Sequence, residues 1–210
     1  MNIQTLVRGI KGIIPGGVSV KDFSMITDIN EETARKILDN FMQNGIGTFE
    51  DNLIHFHEND KLKTSLLAIR MGAPIDEISQ LLDWKDFESL VSEILESREF
   101  DTTRNLILTK PRMEIDVVGI KGGVAILIDC KHWKRLSYSS LESAVNKQIE
   151  RTKRYVAKEK VQAAIPAIVT LYQEVKFINK IPIIPIFQLD SFCEEFYGNL
   201  EVMDTLEQSE

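Results

Sequence analysis

Two apolar runs, Glu114 to Ile120 and Val124 to Lys131, are separated only by Lys121-Gly122-Gly123. Runs this rich in Val and Ile, joined by a glycine turn, read as a β-hairpin inside a sheet covered on both faces. Each run nevertheless carries a carboxylate, Asp116 in the first and Asp129 in the second. An unpaired carboxylate in an apolar strand is costly, so each must meet a cation or a polar group. Side chains alternate along a strand, which puts Asp129 and Lys131 on one face and Cys130 on the other. The hairpin can therefore gather two acids and an ammonium at one spot.

That set has a definite chemistry. A hard divalent cation such as Mg2+, with Mn2+ as a substitute, takes oxygen ligands and keeps several waters, so two or three carboxylates suffice to hold it. A lysine beside the ion can orient a water and stabilise charge developing on a phosphoryl group. An acid two residues before a lysine is a weak signal alone, since Asp83-Trp-Lys85 and Glu174-Val-Lys176 match it too. Only Asp129 lies on a strand that a tight turn joins to a second acid-bearing strand. The competing structural reading is a pair of strand-end acids salt-bridged to Lys131 or a neighbour.

Around the hairpin the pattern alternates helix and strand. Trp84 opens a helix with Phe87, Leu90, Val91, Ile94 and Leu95 at helical spacing. Strands are expected at 105–109, 113–120, 124–131, 165–171 and 183–187, with a long polar helix over 139–160 and a short one over 189–196. This is an α/β arrangement, a central mixed sheet flanked by helices. Upstream, residues 1–60 read as three helices and a hairpin, the order of a small N-terminal winged helix-turn-helix domain. Ser19 and Asn30 are candidate caps and Gly45 a helix stop. Residues 61–83 read as a helical connector, 84–198 as the α/β domain, and 199–210 as an acidic tail expected to fray.

Composition narrows the function. The 210 residues carry 25 Lys and Arg against 32 Asp and Glu, a net charge of -7, which disfavours coating nucleic acid by bulk attraction. The sign is uneven: 131–160 is about +6 and the remainder about -13. A third helix in a winged helix-turn-helix usually faces DNA, but here it holds Glu31, Glu32 and Asp39 against Arg35 and Lys36, so contact with protein is as strong an expectation as contact with DNA. No run approaches a membrane span, and Cys130 and Cys193 form neither a disulfide framework nor a CxxC site, so a cytoplasmic protein is expected. His55 and His57 share a strand face without a third ligand nearby.

Four motifs in order resemble the PD-(D/E)XK nuclease superfamily, and within it the Mrr-type restriction endonucleases and archaeal Holliday-junction resolvases. They are the helix from Trp84 to Glu96, Glu114-Ile-Asp-Val-Val, Ile128-Asp-Cys-Lys-His-Trp, and Gln148 within Lys147 to Tyr155. The resemblance covers the last half of the chain and implies a restriction-endonuclease-like fold hydrolysing DNA. It makes Asp116, Asp129 and Glu88 metal ligands, Asp129 standing where many relatives have glutamate. Lys131 becomes the motif lysine and Gln148 the glutamine beside metal and phosphate; Glu93 competes with Glu88 for the helix position. Lys134, Arg151 and Tyr155 are expected DNA contacts, and a homodimer is a candidate assembly because many relatives cut as dimers. A structure-selective junction resolvase and a catalytically inactive DNA-binding or regulatory protein are the alternatives.

Overall fold

Local sequence signals set the elements of the first unit. This computed structural model describes residues 3–133, 137–159, 161–171, 174 and 176–207, and the chain divides into two units, Met1–Asp86 and Phe87–Glu210. The first unit runs α1 (Ile3–Ile10), β1 (Gly16–Val18), α2 (Val20–Thr27), α3 (Glu31–Gln43), β2 (Thr48–Glu50), β3 (Leu53–Phe56), α4 (Asp60–Arg70) and α5 (Ile75–Ser79). Ser19 caps α2 by accepting from the Asp22 amide, and Asn30 caps α3 by accepting from that of Thr33. The strand β1 was not legible in sequence; it pairs antiparallel with β3, opposite the β2 side. Gly16, at φ +107, permits the entry into β1.

Phe23, Phe41 and Phe56 meet edge to face at 6.3 and 6.4 Å in the core of this unit. Residues 61–83, read from sequence as a connector, contribute Ala68, Ala73 and Ile78 to that same core. Asp60, fully buried, accepts from the amides of Gly47 and His57 and so ties the start of α4 to the hairpin.

The second unit starts within α6 (Trp84–Ser97). It continues through β4 (Asp101–Leu108), β5 (Met113–Lys121), β6 (Val124–Lys131), α7 (Tyr138–Val156), β7 (Ala163–Thr170), β8 (Lys176–Ile178), β9 (Ile181–Pro185), α8 (Ile186–Glu194), α9 (Phe196–Asn199) and β10 (Leu206–Glu207). The sheet order is β4-β5-β6-β7-β9-β8. Its β4–β5–β6 part is antiparallel, while β6, β7 and β9 are parallel, giving the expected mixed sheet. The crossover from β6 to β7 is α7, capped by Ser137. Ala125 and Leu127 of β6 pack with Tyr155 and Val156 of α7. Gly119 of β5 lies so close to α6 that a Cβ there would clash with Leu95 Cδ2.

The C-terminal segment departs from the expectation of a frayed tail. Leu206 and Glu207 pair with Ala164 and Ala163 of β7. β9 covers β7 only from Ile168 onward, so the first residues of β7 have an open edge, and β10 fills it while Leu206 packs on the adjoining core.

Candidate active site

The hairpin opens where its acids lie. The β5–β6 ladder runs from Lys121↔Val124 to Val117↔Ile128, and Asp116 and Asp129 follow that last pair. The Cys130 amide, which the ladder leaves without a β5 carbonyl, donates to Asp116 Oδ2 at 2.7 Å. On the outer side, Arg104↔Val117 and Leu106↔Ile115 bracket Asn105, whose φ is +52. Asparagine tolerates this left-handed conformation better than most residues, and it kinks the edge strand opposite Asp116. A splayed pair and a kinked neighbour thus form a notch at one end of the sheet.

Asp129 is 2% exposed and fully paired. Its Oδ2 lies 2.7 Å from Lys131 Nζ, as the shared strand face required, and its Oδ1 accepts from Arg151 Nη1 at 2.7 Å. The same Arg151 nitrogen reaches Gln148 Oε1 at 3.2 Å. Gln148 is completely buried, and its Nε2 donates to the Leu127 carbonyl at 2.7 Å. One amide side chain therefore fixes α7 to β6 and steers the arginine three residues later on its helix.

Burial and crowding of like charge set the acid–base properties. Burial first, and then the charges of Asp116 and Glu114, push the Glu88 carboxyl up to about 7, against the pull of Arg104 and Lys131. The Asp116 carboxyl is raised by burial and by Asp129, opposed by the Cys130 amide and the cations Lys131 and Arg151. The Cys130 thiol is raised strongly, by burial and then by Asp116 and Glu88, so it stays a thiol near neutrality.

Two adjoining clefts give access along α7. One of about 470 Å³ is lined by Asp129, Lys131, Trp133, Ser143, Lys147 and Arg151 among others; another of about 800 Å³ includes Arg112, Glu114, Asn146, Lys147 and Arg151. Ser139, Ser143, Lys147 and Arg151 line both. Asp129 and Lys131 thus border a cavity large enough for a nucleotide-sized group.

The structure brings together Asp129, Lys131, Arg151 and Gln148 by direct bonds, and couples Asp116 and Glu88 to them electrostatically. Of the two candidate glutamates, Glu88 is buried in the second unit and feels the charge of Asp116, and Glu93 is exposed. Tyr155 corrects an expectation: it is 4% exposed and packed against Leu108, Ile115 and Leu127, because the apolar face of α7 carries the ring into the core and away from the clefts. Gln148 is also placed differently, behind Arg151 and not in the open cleft. Lys134 lies outside the described residues. Sequence reasoning missed Arg104, whose guanidinium donates to Ser89 Oγ and faces Glu88, and assigned no role to Trp133, whose ring lies 5.8 Å from Lys131 Nζ. The basic residue in the β4 strand and the aromatic two after the motif lysine were the available signals.

The donor set fits a hard divalent cation. All candidate groups are carboxylate oxygens, and a cation would relieve the mutual charge that raises Asp116 and Glu88. Among the described residues no three His, Cys, Asp or Glu side chains form a ready-made metal-binding group.

The mixed sheet flanked by helices is a restriction-endonuclease-like fold, and the acids and lysine at the end of its central hairpin are compatible with a nuclease of that kind. Residues 79–173 match the family model Mrr_cat, described as a restriction endonuclease. Among solved structures the chain is similar to protein VC1899 from Vibrio cholerae (13% identity, TM-score 0.41, covering 95% of this chain and 51% of that one). It is also similar to AF1548, a protein of unknown function (26% identity, TM-score 0.31, 40% and 44%). A third is Can2 from Sulfobacillus thermosulfidooxidans, solved with cyclic tetra-adenylate (14% identity, TM-score 0.36, 78% and 44%). The chain spans about half the length of these structures. No curated protein matches. No described helix is long and apolar enough to cross a membrane.

Proposed function

We propose that this protein is a DNA endonuclease that hydrolyses phosphodiester bonds with Mg2+, or Mn2+ in its place. The observation that carries the reading is the meeting of Asp129 and Lys131 at 2.7 Å on the wall of a nucleotide-sized cleft, with Asp116 at the mouth of the same splayed hairpin. Asp116 and Asp129, with Glu88, would hold the cation, which supplies Lewis-acid polarisation of the phosphoryl oxygens and a more acidic bound water.

The chain's own groups do the rest. Lys131 has three N–H donors; one is used on Asp129, leaving the others to orient the attacking water and to face the phosphoryl oxygens. Gln148 positions Arg151 and the β6 backbone without touching phosphate itself. Lys147, exposed on the wall of both clefts, and Lys134 are the proposed strand contacts. The first unit is read as a winged helix whose acidic α3 suits a protein partner as well as DNA, in a cytoplasmic enzyme able to act as a dimer. A junction resolvase uses the same site; the absence of cleavage on any DNA would favour the inactive regulatory reading.

The test is nicking of supercoiled plasmid with Mg2+ or Mn2+. Wild type should cut, and Asp116→Ala and Lys131→Ala should each lose at least a hundredfold in rate while melting as folded proteins. Unchanged cleavage by either variant refutes the assignment. Panels of duplex, methylated, branched and single-stranded DNA separate the restriction-like from the resolvase reading.

A further inference from the structure

Both oxygens of Asp129 are held by the chain's own cations, and the two cations differ in where they can go. Lys131 sits two residues away on the same strand. Arg151 comes from α7, lines both clefts, and is about one-fifth exposed. Its Nη1 spans Asp129 Oδ1 and Gln148 Oε1. Gln148 is itself locked to Leu127, so it offers Arg151 a fixed second partner beside the acid. Without some counter-charge, Asp129 would lie buried next to Asp116, and the two would repel.

We infer that Arg151 is the resident counter-ion of the cation site, a positioning residue that a divalent cation must displace from Asp129 Oδ1 before that oxygen can act as a ligand. This rests on the cation site proposed above. A guanidinium and a metal ion cannot share one lone-pair direction of a 2%-exposed carboxylate. The consequence is an exchange: on cation entry the guanidinium leaves Asp129, keeps its anchor on Gln148, and turns to the cleft walls, where its planar fork suits a strand phosphate. The bare site is thereby kept neutralised, and cation and DNA bind with positive coupling, because the charge released by one serves the other.

The test measures cation binding in the absence of DNA, by titration calorimetry of Mn2+ into the full chain. Arg151→Ala, and Arg151→Gln in case the alanine variant melts early, should bind Mn2+ about tenfold more tightly than wild type, the order expected when one charge-assisted hydrogen bond no longer has to be broken. Their DNA affinity in Ca2+ should fall. Lys147→Ala, which removes one positive charge from the same clefts without removing an Asp129 partner, should shift Mn2+ affinity by less than about threefold. Adding Asp129→Asn to Arg151→Gln should abolish the gain. Equal Mn2+ affinity in wild type and both Arg151 variants overturns the exchange while leaving the cation site in place, and so does an equal gain in Lys147→Ala. Absence of Mn2+ binding in every form overturns the exchange and the cation site together.

Discussion

Glu88→Gln should make the metal-free protein more stable at pH 8 and leave it inactive. Glu88 is 6% exposed, and burial with the charges of Asp116 and Glu114 raises its carboxyl from 4.5 to about 7. An acid whose folded pKa is raised costs stability as pH climbs through the window from 4.5 to about 7, because the unfolded chain ionises first. The full shift corresponds to roughly 3 kcal/mol at pH 8, and partial solvent screening with local relaxation reduces this to about 1–2 kcal/mol. The amide removes that cost and keeps the shape. Urea denaturation of wild type and variant in EDTA at pH 5 and pH 8 measures it: the variant should gain about 1–2 kcal/mol at pH 8 and much less at pH 5. An equal or lower stability of the variant at pH 8 refutes the crowded-acid picture. Saturating Mg2+ should erase the advantage by stabilising the wild type.

Asp116→Asn keeps an acceptor for the Cys130 amide, so it should melt within a few degrees of wild type yet lose cation binding by calorimetry and cleavage by plasmid assay. Gln148→Ala orphans its bond to Leu127 and empties a fully buried position; it should cost about 2–4 kcal/mol in denaturant. Gly119→Ala forces a Cβ into Leu95 Cδ2, and thermal melting should show a loss of about 1–3 kcal/mol with little effect on cation affinity.

Much of the second unit was legible because its strands are continuous apolar runs and its acids interrupt them. The span of β6 was read to the residue, and the pairing of Asp129 with Lys131 followed from the period of two. What stayed hidden depends on long-range contact. β10 forms because β7 has a half-open edge, and β1 because β3 has a free side; neither is visible in a short polar or glycine-rich segment. Tyr155 was misplaced for a related reason. Spacing puts it on the face of Gln148 and Thr152, and that face turns inward, so all three are buried while Lys147 and Arg151 beside them reach the cleft. The distinction between a site residue and the residue that holds it is one of depth, which periodicity alone does not encode.

Crystals soaked in Mn2+ and measured at the manganese edge test the central claim most directly. An anomalous peak at the carboxylates of Asp116 and Asp129, with Arg151 moved off Asp129, is the result expected. A peak bound elsewhere, or none while Arg151 and Lys131 keep both Asp129 oxygens, would contradict a cation-dependent hydrolytic site at this hairpin.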